Sequence, residues 1–374
     1  NWYVSAAAAY YYTLKQMPAK QDAAFNYLRD ELTELNYRLL YTTKREGAIA
    51  PVDAKQIYDK YNNYQIPRIK GTFLLHQLRL KLGNKSFAEL MNKIQTDFRE
   101  KNITNDKFIE YAGKAGISKE FISQWINSTK LPKFTTDVKI ESDNSKWKTG
   151  ININQTGKVF NLFLMVSIEF EKERIVKLVE LKNQENNFEY IYDNKPLSVT
   201  VNAGNDVPVN RTNYYTYSNF FDDYSNTVII YGTKQQVEAN HTIALRYQKM
   251  VADRFTETFQ PIKKDSEIDE SELAKNDIIL LGGVSENSLT EKLLSKLGIT
   301  NGKYFFEWNG TTYNNNDDGL YLTYPNPYNP AKTLYLFIAN SAQQLYQMTK
   351  RHQSMPAFAL FKGEKIIKKG YHTD

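Results

Sequence analysis

Hydrophobic and polar positions change their period twice along this chain, dividing it into three stretches. Residues 1–132 keep a three-and-four spacing, which predicts helices throughout. The alanine-rich VSAAAAYYYTLKQ comes first, and KQDAAFNYLRDELTELNYRLLYTTK follows Pro18. A further helix is predicted in VDAKQIYDKYNN after Pro51, then one in IKGTFLLHQLRLKLG, stopped by Gly83. Ser86, Thr104 and Ser118 stand where N-caps belong, ahead of FAELMNKIQTDFREKN, NDKFIEYAGKAG and KEFISQWIN.

Residues 133–213 switch to short β-branched and aromatic runs separated by Asn, Asp, Gly and Lys, which predicts a small antiparallel β-sandwich. Residues 214–374 switch again. TVIIY ending at Gly232-Thr233, DIILL ending at Gly282-Gly283, and Leu334–Ile338 ending at Asn340-Ser341 are each followed by a helical pattern, and Ala357–Phe361 supplies one more strand. Strand, small residue, helix, repeated, predicts a doubly wound parallel sheet. The fold class expected is therefore multidomain α+β: helices over 1–132, a sandwich over 133–213, and an α/β domain over 214–374.

Composition narrows the chemistry. Across 374 residues there is no Cys, which removes disulfides, thiolate metal sites and a cysteine nucleophile. The four His, at 76, 241, 352 and 372, are too far apart for a two-histidine metal site on one helix. No apolar run is long enough to predict a spanning helix, and NWYVSAAAAYYY lacks the basic start of a secretory signal. A first residue other than Met implies sequence upstream of Asn1. The net charge of +6 sits on the helical stretch, where 20 Lys and Arg face 13 Asp and Glu. These charges are dispersed singly, the pattern of a solvated face and not of a nucleic-acid surface.

Four motifs occur in order. Trp2, Ala8 and Tyr10 fit W-L-x-E-G-x-A-x-Y, and Lys70-Gly71 fit Y-x-K-G. LLHQLRLKLGNKSFAELMNKI continues the second as a leucine-rich helix. Phe121, Gln124, Trp125 and Pro132 fit F-x-x-Q-W followed, after six intervening residues, by Pro, and Gln155 with VFNLFLMVSIEF reads as a β-domain opening. In these features residues 1–210 resemble the gluzincin zinc aminopeptidases of the aminopeptidase N type. The resemblance implies a helical, thermolysin-like half-domain followed by the family's β-domain, and by association an extracytoplasmic, bacterial setting. It also implies which positions would be catalytic, and both that can be inspected are substituted. Ser5 stands where the family has its zinc-ligand Glu, and Arg68 where it has the Tyr that hydrogen-bonds the oxyanion. HExxH is absent. A serine hydroxyl is a poor zinc ligand, and without metal no activated water is available to attack.

Residues 214–374 resemble an accessory domain attached to some bacterial esterases and prolyl-oligopeptidase-type hydrolases. In such a sheet a ligand sits beyond the carboxyl ends of the strands, which places Thr233, Glu286, Asn287, Asn340 and Ser341 as candidate ligand-binding residues. Helix starts behind short glycine loops favour an anion, but G-x-G-x-x-G, G-x-x-x-x-G-K-[ST] and G-x-S-x-G are all missing. Turn and cap chemistry is the other use of these five residues. His76, on the apolar face of FLLHQL, is expected as a hydrogen-bonded core histidine. The run NYYTYSNFFDDY at 213–224 is expected to pack between domains or to offer stacking faces.

Three functions stay open. One is an aminopeptidase-like protein without catalysis that binds peptide or protein. Another is the C-terminal part of a zinc metallo-aminopeptidase whose HExxH lies upstream, the only case in which zinc is a cofactor. The third is a carbohydrate- or protein-binding module.

Overall fold

The computed structural model describes residues 2–55, 60–143, 145–222, 224–350 and 355–372. Two compact units divide between Asn210 and Arg211.

The first unit opens with helices α1 (Trp2–Gln16), α2 (Gln21–Glu46), α3 (Asn62–Asp97), α4 (Asn105–Lys114) and α5 (Lys119–Ile126). Helices α1 and α3 meet at Gly71, where a Cβ would lie 2.6 Å from the Ala6 Cβ and 2.7 Å from the Trp2 ring, so any larger residue would force them apart. Gly83 breaks α3 with a left-handed backbone (φ 77°, ψ 164°), and the helical run resumes through Ser86. Thr104 and Ser118 cap α4 and α5 by accepting from the Lys107 and Phe121 amides. The helix predicted after Pro51 differs. Pro51–Asp53 makes one tight turn that ends at an extended Ala54, residues 56–59 lie outside the described residues, and α3 begins at Asn62.

Six strands follow: β1 (Phe134–Asp143), β2 (Lys146–Gln155), β3 (Leu162–Glu169), β4 (Arg174–Leu181), β5 (Glu185–Tyr192) and β6 (Ser198–Val201). They form two antiparallel sheets, in the orders β1-β2-β5 and β4-β3-β6. Ile151 and Ile153 of β2 and Leu162, Leu164 and Val166 of β3 join Phe73, Leu74 and Trp125 of the helices in one buried cluster. The change of period near residue 133 is thus a change of secondary structure within a single core. On edge strand β4, Lys177 lies 5.8 Å from the centre of the Tyr190 ring of β5, and a charge held there discourages edge-to-edge pairing.

The second unit contains α6 (Ser218–Asp222), β7 (Thr227–Tyr231), α7 (Val237–Val251), β8 (Ile262–Lys264), α8 (Glu270–Lys275), β9 (Asp277–Leu281) and α9 (Ser288–Leu297). A small sheet of β10 (Asn301–Gly302), β11 (Phe305–Trp308) and β12 (Thr311–Tyr313) comes next. The chain continues with β13 (Asp318–Asn326), β14 (Asn329–Ala339), α10 (Ala342–Thr349), β15 (Phe358–Lys362) and β16 (Lys365–Gly370).

Its main sheet has seven strands, in the order β16-β15-β13-β14-β9-β7-β8. Here the expectation of a wholly parallel sheet is corrected. Strands β14, β9, β7 and β8 are parallel, but β13, β15 and β16 run antiparallel to their neighbours. A turn around Pro327-Tyr328 joins β13 to β14, and so short a link permits only an antiparallel pair.

Side chains alternate strictly between two clusters. Ile229, Ile279, Phe337 and Ala359 pack with α7 and α10, whereas Val228, Ile278, Leu336 and Leu360 pack with α8 and α9. Both faces of the sheet are therefore covered, which is why these strands read as unbroken apolar runs. The aromatic run at 213–224 also enters this core and does not form an exposed platform. Tyr217 and Phe220 are fully buried beside Tyr335, and Tyr215 donates to the Pro330 carbonyl at 2.6 Å. Among the described residues no helix is long and apolar enough to cross a membrane.

Candidate functional site

The two positions that the aminopeptidase resemblance makes catalytic are held by their own helices. The Ser5 hydroxyl donates to the Trp2 carbonyl at 3.2 Å, one turn back on α1. Arg68 donates to the Gln65 side-chain oxygen at 3.3 Å on α3. Ser5 would offer zinc a neutral hydroxyl already in use as a donor. Among the described residues no group of three or more His, Cys, Asp or Glu could hold a metal ion. The residues present do not fit a zinc centre of the His2Glu kind.

The other motif residues take part in packing. Gln124 exchanges two hydrogen bonds with the backbone of Asn161, donating to its carbonyl at 2.7 Å and accepting from its amide at 2.8 Å. Gln155 does the same for Phe160, at 2.9 and 3.0 Å. Lys70 is buried, and its ammonium donates to the Ser128 carbonyl just past α5. Burial, helped by the nearby Lys158 charge, lowers its pKa to about 8.

His76 is fully buried, as its place on an apolar face predicts. Its Nε2 lies 3.0 Å from Asp206 Oδ1 and its Nδ1 lies 2.8 Å from the Tyr10 hydroxyl, while Arg79 donates to that hydroxyl at 3.2 Å. Burial pushes the imidazole pKa down, against the opposing pull of Asp206. A closed set of partners in a fully buried position makes this a structural relay between α1, α3 and the loop after β6.

In the second unit the five candidate residues stand at the carboxyl ends of β7, β9 and β14. Helices α7 and α9 leave β7 and β9 toward opposite faces, so the crevice between these strands is the topological switch point where a ligand would settle. The chain's own groups fill it. A Cβ on Gly232 would run into the Glu286 carbonyl, and the Lys234 amide donates to that same carbonyl at 2.9 Å.

The group that organises the crevice is Asp265, which follows β8 and was not picked out from the sequence. Its Oδ1 accepts from the Thr233 amide at 3.0 Å and the Thr233 hydroxyl at 2.5 Å. Its Oδ2 accepts from the Ser288 amide at 2.6 Å and the Ser288 hydroxyl at 2.7 Å. Asn287 completes the cap of α9 by accepting from Leu289 and Thr290. The anion expected at this helix start is thus supplied by the protein itself.

Glu286 lies beside this knot. It is 4 % exposed, accepts from Ser285 at 3.0 Å, and burial raises its pKa above the usual carboxylate range. Asn340 and Ser341 turn toward a different segment. Asn340 donates to the Tyr313 and Asn315 carbonyls, while Ser341 donates to Asn316 and caps α10. Thr233, Glu286 and Asn287 are brought together, and all five residues have turn or cap partners within the unit. The chain matches no protein-family model, and no curated protein matches it.

Proposed function

We propose that the chain is an aminopeptidase-like protein that does not itself hydrolyse peptides and acts by binding a peptide or protein. In this reading the five helices of the first unit are a thermolysin-like half-domain. The two three-stranded sheets are its small β-sandwich, and the second unit is an α/β accessory domain. The observation that carries the reading is that Ser5, at the position of the zinc-ligand Glu, offers a neutral hydroxyl that donates within its own helix, leaving no carboxylate ligand there. The test is zinc content per chain by elemental analysis on the longest natural form, together with release of p-nitroaniline from aminoacyl anilides. A ratio near zero that persists after zinc is added, with no release, is expected. A ratio near one with hydrolysis overturns the reading.

One observation favours a second reading. Val4, Tyr11 and Tyr12 leave α1 61–66 % exposed, a strip that a larger catalytic domain would cover. The chain would then be part of a longer zinc aminopeptidase carrying HExxH upstream, and the same zinc measurement separates the two.

A further inference from the structure

Away from the filled crevice, the second unit has an open cleft of about 340 Å³, a volume suited to one amino-acid side chain with some flanking backbone. Aromatic rings line it. Trp308 of β11 lies 5.7 Å from Phe358 and 6.3 Å from His372, and Tyr324 of β13 lies 4.8 Å from His372. His372 Nε2 meets the Thr323 carbonyl at 2.9 Å, and burial holds its pKa below the ordinary histidine value, so the ring is neutral at neutral pH.

A carboxylate and a helix end give this cleft negative features, and the buried Trp308 Nε1–H in its wall is a donor free for a peptide carbonyl. Ring faces present negative quadrupole. Glu307 is exposed and, among the described residues of the lining, is the one charged side chain. Helix α9 ends against the cleft at Leu297, with Gly298 as its left-handed cap (φ 67°), and so turns the negative end of its dipole toward it. Neighbouring lysines are engaged on other rings: Lys296 lies 3.9 Å from the centre of Tyr328, and Lys303 lies 5.1 Å from the centre of Tyr304. On a chain of net charge +6 this is an aromatic-lined cleft with a carboxylate at its wall.

We propose that this cleft binds the guanidinium side chain of an arginine residue in a peptide. A planar, weakly hydrated guanidinium stacks on aromatic faces and pairs with a carboxylate, using both features at once. The inference rests on the binding reading above only in taking the ligand to be a peptide.

The experiment is calorimetric titration of the full chain with N-acetyl-arginine amide, against N-acetyl-citrulline amide as its neutral isostere. Saturable binding of the arginine probe is expected, with citrulline weaker by at least about tenfold. Glu307→Gln, on an exposed side chain, should weaken the arginine probe about fivefold and flatten its salt dependence. Equal binding of the two probes, binding unchanged by Glu307→Gln, or uptake of a neutral disaccharide in place of the arginine probe would each overturn the proposal. If peptides bind the Glu307→Gln protein as tightly as the parent, the cleft assignment fails and the binding reading stands. If zinc and hydrolysis appear while the arginine probe still binds, the reverse holds.

Discussion

His76 on α3 and Asp206, 130 residues later, meet through Nε2 and Oδ1 at 3.0 Å with both side chains fully buried. A carboxylate only accepts, so the imidazole Nε2–H donates to Asp206. Neutral Nδ1 then accepts from the Tyr10 hydroxyl, and the Tyr10 oxygen accepts from Arg79. The other Asp206 oxygen accepts from the Met165 amide at 2.6 Å, tying the loop to β3. Asp206→Ala leaves both the histidine and the amide as buried donors without acceptors. It should destabilise the first unit by about 3–5 kcal/mol, read by urea unfolding. A change below about 1 kcal/mol would mean that water replaces the carboxylate.

The same relay sets an acid limit. Burial lowers the folded-state pKa of His76, while the unfolded histidine titrates near 6.5. Below that pH the unfolded chain binds a proton that the folded chain refuses, so stability falls as pH drops from about 6.5 to the lowered folded value. Urea midpoints should decline between pH 7 and 5, and His76→Gln should flatten that slope while lowering the midpoint at pH 7. An unchanged slope in the variant would assign the acid sensitivity to other groups.

A second, alkaline limit comes from buried phenols. Tyr217 and Tyr247 share a hydroxyl contact of 2.5 Å in the core of the second unit, and burial raises both pKa values, well above the ordinary value for Tyr247. Tyr10 is likewise pushed up to about 12. Unfolded tyrosine loses its proton near 10, so above that pH the folded state binds more protons and stability is lost as pH rises toward 12. Tyr217→Phe should lessen the alkaline loss in the second unit, measured as the midpoint shift between pH 9 and 11. An alkaline slope equal to the parent's would remove this pair as its source.

What the sequence made legible was burial and local stops. Residues 228–231 and 278–281 are apolar and became strands covered on both faces, while Gly83, Thr104 and Ser118 acted at the positions their chemistry indicates. Strand direction was not legible, because an apolar run records two buried faces and says nothing of its neighbour's polarity. DGLYLTYPN, with Pro and Asn at its end, pairs as a strand between β14 and β15, antiparallel to both. The partners of His76 lie 66 and 130 residues away, so only its burial could be read. Asp265 follows a strand of three residues whose last two are lysines, and no local pattern marks it. The cleft draws its walls from residues 297–372, which no spacing rule connects.

Asp265 also allows a test of why the switch-point crevice holds no room for an anion. Its carboxylate receives four donors, two of them backbone amides and one of those at the start of α9. Asp265→Ala removes all four acceptor contacts and uncovers the positive end of the helix dipole, so it should cost about 2–4 kcal/mol in the second unit. The vacated position would be surrounded by donors only. Inorganic phosphate should therefore raise the melting temperature of the variant by mass action and leave that of the parent unchanged at the same ionic strength. Asp265→Asn keeps the volume but turns an amide NH2 toward those donors, and should lose stability without the phosphate response. Equal phosphate effects on parent and Asp265→Ala would show that the carboxylate does not occupy an anion's place.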